Sequence, residues 1–207
     1  MDEKRMPKEK QYLPLVELKN EMGLEELGLR ANSMYQNNPR DLLFNFARYK
    51  FVSKMLSGKD KVLEVGCGDT FSARLVQAEI NELHVLDFDP IFMDDVKARM
   101  TPKWKFHVAV HNILESPYTE MGLFDAGYSV DVIEHIEQKD EDAFMRNICL
   151  CLKKNAIFIS GSPSLESQRW ASSQSKAGHV NCKSGAEFKK FMEKYFYNVL
   201  MFSMNDE

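Results

Sequence analysis

Val62-Leu63-Glu64-Val65-Gly66-Cys67-Gly68-Asp69-Thr70 is the stretch on which the reading of this chain turns. A short apolar strand, Lys61–Val65, runs into a glycine turn, and the turn opens a helix read over Thr70–Ala78. Gly66 and Gly68 carry no Cβ, so the backbone there can come close to a ligand, and the helix that follows presents N–H groups without intrahelical partners. A nicotinamide-dinucleotide fingerprint needs a third glycine three residues after Gly68; that position is Phe71. Glu64 stands in the approach to the turn. A carboxylate there repels a pyrophosphate and suits a cationic ligand.

Outward from the turn, Leu86-Asp87-Phe88-Asp89-Pro90 closes the next strand, Leu83–Phe88. Asp87 falls 21 residues after Gly66, where an acid accepts both hydroxyls of a ribose. Asp89 has a different task, capping the helix Pro90–Met100. Strands over Lys105–Val110, Phe124–Val130, Ala156–Ser160 and Asn198–Met204 alternate with helices over Asp140–Leu152 and Ser184–Phe196. The last helix opens with the capping box Ser184-x-x-Glu187. Alternation of this kind predicts an α/β fold, a Rossmann-like three-layer sandwich with a mostly parallel sheet whose ligands bind outside the strand C-termini. An earlier helix begins at Asn38-Pro39 and stops at Ser57-Gly58. Residues 1–37 read as an irregular N-terminal arm with at most a short helix, and 38–207 as the domain. The serine-rich stretch 160–175 reads as a long loop.

The composition agrees with one domain: 207 residues, 44% hydrophobic and 28% charged. The net charge of −4 disfavours sequence-blind nucleic-acid binding, which wants a basic surface. No apolar run reaches membrane-spanning length, and Met1–Arg5 lacks the apolar core of a signal peptide. Cys67, Cys149, Cys151 and Cys182 fit neither a zinc ribbon nor a disulfide framework, so the expected setting is the cytoplasm. The expected partner is a small-molecule substrate, with no nucleic acid and no membrane.

The glycine motif, Asp87, the strand end His111-Asn112-Ile113 and the segment from Phe124 to Ile136 occur in an order that resembles the class I S-adenosylmethionine-dependent methyltransferases, over roughly residues 40–204. The resemblance implies S-adenosyl-L-methionine as cofactor. It places Glu64, Gly66, Cys67 and Gly68 beside the methionine part, Asp87 and Phe88 at the ribose, Asn112 and Ile113 at the adenine, and Ser129 at the fourth strand's end. Arg48, on the first strong helix, could meet the methionine carboxylate; an exposed or structural arginine is the alternative. Asp131-Val132-Ile133-Glu134-His135-Ile136 looks like the small-molecule branch, which includes ubiquinone-pathway O-methyltransferases. Gly178–Asn181 and Phe202–Glu207 look like methyltransferases of bacterial surface-glycan gene clusters. Two departures stand out. Asn112 replaces a frequent Asp, and the chain ends after its sixth strand, without the family's closing antiparallel hairpin. A final hairpin strand is thus missing, and an unpaired edge invites a second chain, hence a possible homodimer.

His135 follows the fourth strand and His179 follows the serine-rich loop. Either can take a proton from an acceptor hydroxyl near neutral pH. Asp131 and Glu134, with Arg169 and Lys176, are candidate substrate contacts; Trp170 could stack on a sugar. An Asp131/Glu134/His135 cluster could hold a divalent metal, but without another clear ligand none is expected. The predicted reaction is methyl transfer to a hydroxyl of a small molecule or sugar, in a role such as bacterial surface polysaccharide biosynthesis. The alternatives are an N-methyltransferase acting on an amine or protein, and a non-catalytic cofactor-binding domain.

Overall fold

The computed structural model describes residues 7–204. Five strands form one sheet: β1 Lys61–Val65, β2 Glu82–Asp87, β3 His107–Val110, β4 Phe124–Val130 and β5 Leu152–Gly161. Their order is β3-β2-β1-β4-β5, and every neighbouring pair is parallel. The chain reverses its direction of winding between β1 and β4. That puts a topological switch point beside the glycine turn, where open α/β sheets bind ligands.

Strand alternation divides the core into two. Val62 and Val85 point to one face, against Tyr49, Val52 and Leu56 of α3 (Pro39–Met55) and Met93 and Val96 of α5 (Pro90–Arg99). Leu63, Val65 and Leu86 point to the other, against Phe144, Met145 and Ile148 of α6 (Glu141–Cys151) and Phe191 and Met192 of α8 (Gly185–Met192). The expected three-layer sandwich is present. Cys151 belongs to its core.

Local signals read from sequence act as expected at several ends. Asp89 accepts from the Ile91 N–H and caps α5. Ser184 and Glu187 make both bonds of the capping box. Elsewhere the structure corrects the reading. The arm is helical in α1 (Leu13–Met22) and α2 (Leu29–Asn37), and α2 docks on the domain. The helix expected over 70–78 shrinks to α4, Arg74–Gln77, because Thr70 has a left-handed backbone, φ 56°, that no α-helix continues. The stretch 160–175 holds a 3₁₀ turn, Leu165–Trp170, and the start of α7 (Ser173–Gly178), each opened by a serine cap.

The strand expected at 198–204 does not form. Instead Phe202 packs on Phe51 of α3, ring centroids 5.1 Å apart, and the outer edge of β5 stays unpaired among the described residues. That edge is blunted by exposed Lys153 and Lys154 and by a register irregularity near Asn155, whose φ is 68°. Lysines and bulges of this kind discourage strand addition. The sequence readings at Met1–Arg5 and Asn205–Glu207 lie outside the described residues. No helix among the described residues is long and apolar enough to cross a membrane.

Candidate active site

The glycine turn is built from two glycines with different work. Gly66 has φ +74°, and a Cβ there would stand 2.4 Å from Val132 Cγ2, so only glycine lets the loop after β4 pack against the turn. Gly68 has φ +54° and meets nothing closer than Arg30 Cδ at 3.8 Å. Of the two, Gly68 is the one with room for a ligand. The Gly66 and Cys67 N–H groups donate to the Leu86 carbonyl, which ties the turn to β2. Gly68 N–H donates to Asp87 Oδ2 at 2.9 Å, and Asp89 N–H donates to Oδ1 at 3.1 Å. Asp87 is thus buried at the strand end with one backbone donor on each oxygen, and each oxygen keeps acceptor capacity. Phe88 next to it is exposed.

Glu64 does not face a ligand. It is buried between α3, β1 and β4, and accepts from Tyr49 Oη at 2.6 Å and Tyr128 Oη at 2.8 Å. Burial pushes its carboxyl up to about 8 against the pull of the two hydroxyls. Cys67 is buried too, and burial holds its thiol well above the ordinary range. Asn112 spends its side chain on its own turn, accepting from Leu114 N–H and donating to Glu115. Ile113 is buried, and its carbonyl accepts from Asn147.

Sequence reading missed the share of the arm. Gly28 precedes α2, and its missing Cβ leaves room for the Asp69 side chain, which a Cβ would meet at 2.5 Å. Asp69 Oδ2 accepts from Ala31 N–H in the first turn of α2 at 2.7 Å. The glycine turn therefore caps the arm's helix. The signal in the sequence was Gly28 ahead of Leu29–Asn37, too weak to choose a partner 38 residues away. Arg30 of α2 and Arg48 of α3 both reach Asp131 Oδ2, at 3.4 and 2.5 Å. Arg48 is therefore engaged by protein, and Asp131 is held beneath two guanidinium groups with its other oxygen buried and unpartnered. Asp131, φ 57°, and Thr70 are two of the three non-glycine residues in the left-handed region among the described residues, and both border this site.

The second half of the site follows β4. Ser129 is buried with its hydroxyl unpartnered. A 3₁₀ turn, Ile133–His135, then buries Glu134 completely while leaving His135 exposed. Neither Glu134 carboxylate oxygen has a hydrogen-bond partner. Burial, and after it the charge of Asp131, push this carboxyl up to about 8. The nearby Ser162 hydroxyl donates to the Pro163 carbonyl instead. His135 Nδ1 lies 2.8 Å from the Gly178 carbonyl, which can only accept, so Nδ1 carries the proton and Nε2 the lone pair. His179 Nδ1 lies 2.9 Å from Gln168 Oε1, with the same consequence. The rings meet edge to face at 5.1 Å. Burial, and after it the neighbouring His135, lower the His179 pKa and favour its neutral form.

The loop that carries His179 is fastened by Asn181. Its N–H donates to the Glu134 carbonyl, and its amide donates to Glu141 Oε2, which also accepts from Lys183. One donor atom each from Glu134, His135 and His179 lies within 4.8 Å of the others. His179 is the third donor that spacing could not place beside Glu134 and His135. The substrate candidates Arg169 and Lys176 are exposed, and the Arg169 guanidinium stacks on exposed Trp170 at 3.7 Å.

Residues 62–155 match the family described as "Methyltransferase domain". No curated protein matches the chain in sequence. Among solved structures, the N-methyltransferase NodS from Bradyrhizobium japonicum WM9, in complex with S-adenosyl-l-homocysteine, is 19% identical with a TM-score of 0.54. The match covers 67% of this chain and 72% of that one. The sugar N-methyltransferase KedS8 from a Streptoalloteichus species is 14% identical with a TM-score of 0.53, over 70% of this chain and 58% of that one. The methyltransferase domain of bacterial CtHen1 is 19% identical with a TM-score of 0.60, over 73% and 84%. At such identities the likeness is one of fold. The family match at residues 62–155 spans the glycine turn, Asp87 and the β4 segment, and marks that stretch as a methyltransferase domain.

Proposed function

We propose that this methyltransferase acts on a hydroxyl oxygen of a small molecule or sugar, with His135 and His179 as the proton-accepting pair. One observation carries the reading: both imidazoles have Nδ1 fixed by a protein oxygen and Nε2 left free, beside each other, just beyond the C-terminal end of β4. A hydroxyl must lose its proton as the methyl arrives, whereas an amine with a lone pair needs no strong base. The cofactor's ribose would take the remaining acceptor capacity of Asp87, and its methionine end would pass the open side of Gly68. The protein's task is then to align sulfonium and acceptor. Because the sulfonium loses its charge on the way, a dry site favours the transition state. Arg169, Lys176 and Trp170 would meet the substrate; a role in surface-glycan synthesis fits a sugar acceptor.

A second reading rests on Glu134. Its two buried, unpartnered oxygens suit a cation, and with the free Nε2 atoms of His135 and His179 they make a donor set suited to a divalent transition metal. Bound there, the ion would act as a Lewis acid on an acceptor oxygen. In that case the histidines serve as ligands, and the Gly178 carbonyl, Gln168 and the Asn181 anchor keep them in place.

The deciding experiment incubates methyl-labelled S-adenosylmethionine with the protein and with separate pools of sugars, other small metabolites, amines and small RNA, with and without a chelator. We expect label on a hydroxyl in the sugar or small-metabolite pool. Label on nitrogen moves the reading to the amine class named for NodS and KedS8, and label confined to RNA overturns the small-molecule reading.

A further inference from the structure

A second group of donors meets at the opposite edge of the sheet, where β2 and β3 begin. Glu82 and His84 are two residues apart on β2, so they share a face. The parallel register sets His84 beside His107 of β3, which brings a third donor to that face. The two imidazoles stack at 4.3 Å with planes 9° apart. His84 Nε2 touches Glu82 Oε1, and His107 Nε2 lies 3.7 Å from the same oxygen, beyond hydrogen-bond range. The three donor atoms fall within 4.8 Å of one another.

The burial of His84 needs explanation. Its ring is wholly enclosed, edge-on to Phe124 at 5.0 Å, and its Nδ1 has no partner. A polar ring so placed, with one nitrogen unpartnered, opposes folding. Its Nε2 carries the proton that now reaches Glu82 Oε1, so ligation shifts that proton to Nδ1 and puts the ion in its place against Glu82. Glu82 is kept ionised, first by its bond to His84. Glu82 and His107 remain partly open, at 39% and 53% side-chain exposure, so an ion can enter. Lys61 Nζ, 3.8 Å from Glu82, is directed to the Met121 carbonyl and the face of Phe124.

We propose that Glu82, His84 and His107 bind a divalent transition-metal ion of the zinc class, with water completing its coordination. Two imidazoles and one carboxylate select zinc, cobalt, nickel or copper over magnesium or calcium. The ion would tie β3, a four-residue strand at the edge of the sheet, to β2. The site lies at the strand ends remote from the reacting edge, so its role is structural, and it does not depend on the acceptor proposed above.

The test uses Co²⁺, followed by Zn²⁺ displacement, on the full chain after chelator treatment and dialysis. His135→Ala/His179→Ala is the background that removes the other donor set. We expect visible cobalt bands and one equivalent bound in that background, and a rise in melting temperature with Zn²⁺. His107→Ala changes only an exposed side chain. Added to that background it should weaken binding by roughly 100-fold or more, at or beyond the loss seen for outer-shell partners, and abolish the thermal shift; in the otherwise wild-type chain it should leave methyl transfer unchanged. Should the double variant not fold, His107→Ala in the otherwise wild-type chain should lower the stoichiometry by one equivalent. Unchanged binding in both His107→Ala and Glu82→Gln, or no binding in a folded double variant, overturns the proposal.

Discussion

Two glutamates are buried near the reacting edge of this sheet, and they are treated differently. Glu64, on β1, receives hydroxyl donors from Tyr49 and Tyr128. Glu134, just after β4, receives none. Both are pushed up to about 8, in each case chiefly by burial. The protein has satisfied the first within its own core, where it joins α3, β1 and β4. It has left the acceptors of the second open beside two imidazoles. Buried polar atoms are normally paired, so an unpaired set beside free imidazole nitrogens marks where something from outside is to be met.

The largest effect should come from the open region. His135→Ala or His179→Ala should reduce turnover by roughly 10²–10⁴-fold with little change in cofactor affinity, because the pair acts on the acceptor. Single-turnover rates and calorimetry read the two quantities separately. The wild-type rate should rise with pH, and if His179 is the base the midpoint should lie below the ordinary histidine value, since burial disfavours its charged form. Full turnover in both variants on the true acceptor would place the chemistry elsewhere. Next in size is Asp87→Ala, which should weaken S-adenosylmethionine binding by about 1.5–3 kcal/mol, the range for hydrogen bonds to a charged group. Unaltered affinity would remove Asp87 from the ribose site.

Legibility in the sequence divides along the same line. The β1 turn, Asp87 and the order of elements were readable because they depend on local spacing: a strand, two glycines, and an acid one crossover later. Asp89 and the Ser184 box were readable for the same reason. Glu64 was misplaced because strand alternation puts it beneath the turn, and only the fold brings Tyr49 and Tyr128 to it. The arm's part was hidden, since Asp69 caps a helix far back in the chain. Asn112 and Arg48 were assigned to a ligand, and the structure shows Asn112 bonded within its own turn and Arg48 paired with Asp131. The tail 198–204 has strand-like residues, but the outer edge of β5 is blunted by Lys153, Lys154 and a register irregularity, and Phe202 packs on Phe51 instead.

A gentler variant pair sharpens the contrast between the glutamates. A carboxyl whose pKa is higher in the folded than in the unfolded chain gives stability that is fully present below pH 4.5 and lost as pH rises to about 8. Stability should therefore fall over that window, by up to about 1.4 kcal/mol per pH unit for each group. Glu64→Gln and Glu134→Gln should each flatten the slope, with a relative gain near pH 8 of up to a few kcal/mol. Only Glu134→Gln should also depress turnover. Equal activity in the two, or a greater loss in Glu64→Gln, would reverse the roles drawn from their hydrogen bonds.

The smallest expected effect separates two acids within three residues of chain. Asp89 resembles Glu64 in that the fold uses its carboxylate: Oδ1 takes the Ile91 N–H at the start of α5. Asp87 resembles Glu134 in keeping acceptor capacity free, although a backbone N–H already sits on each of its oxygens. Asp89→Ala should lower stability by about 1 kcal/mol, the cost of a lost N-cap, and leave adenosyl-ligand affinity alone. Denaturant melts and calorimetry on the same preparation check both halves. Asp89→Asn should recover most of the stability, because asparagine caps as well as aspartate does. If Asp89→Ala instead weakens the ligand and Asp87→Ala does not, the ribose acid lies two residues later than the register of β2 places it. The distinction between used and open carboxylates would then fail at the strand where it was easiest to read.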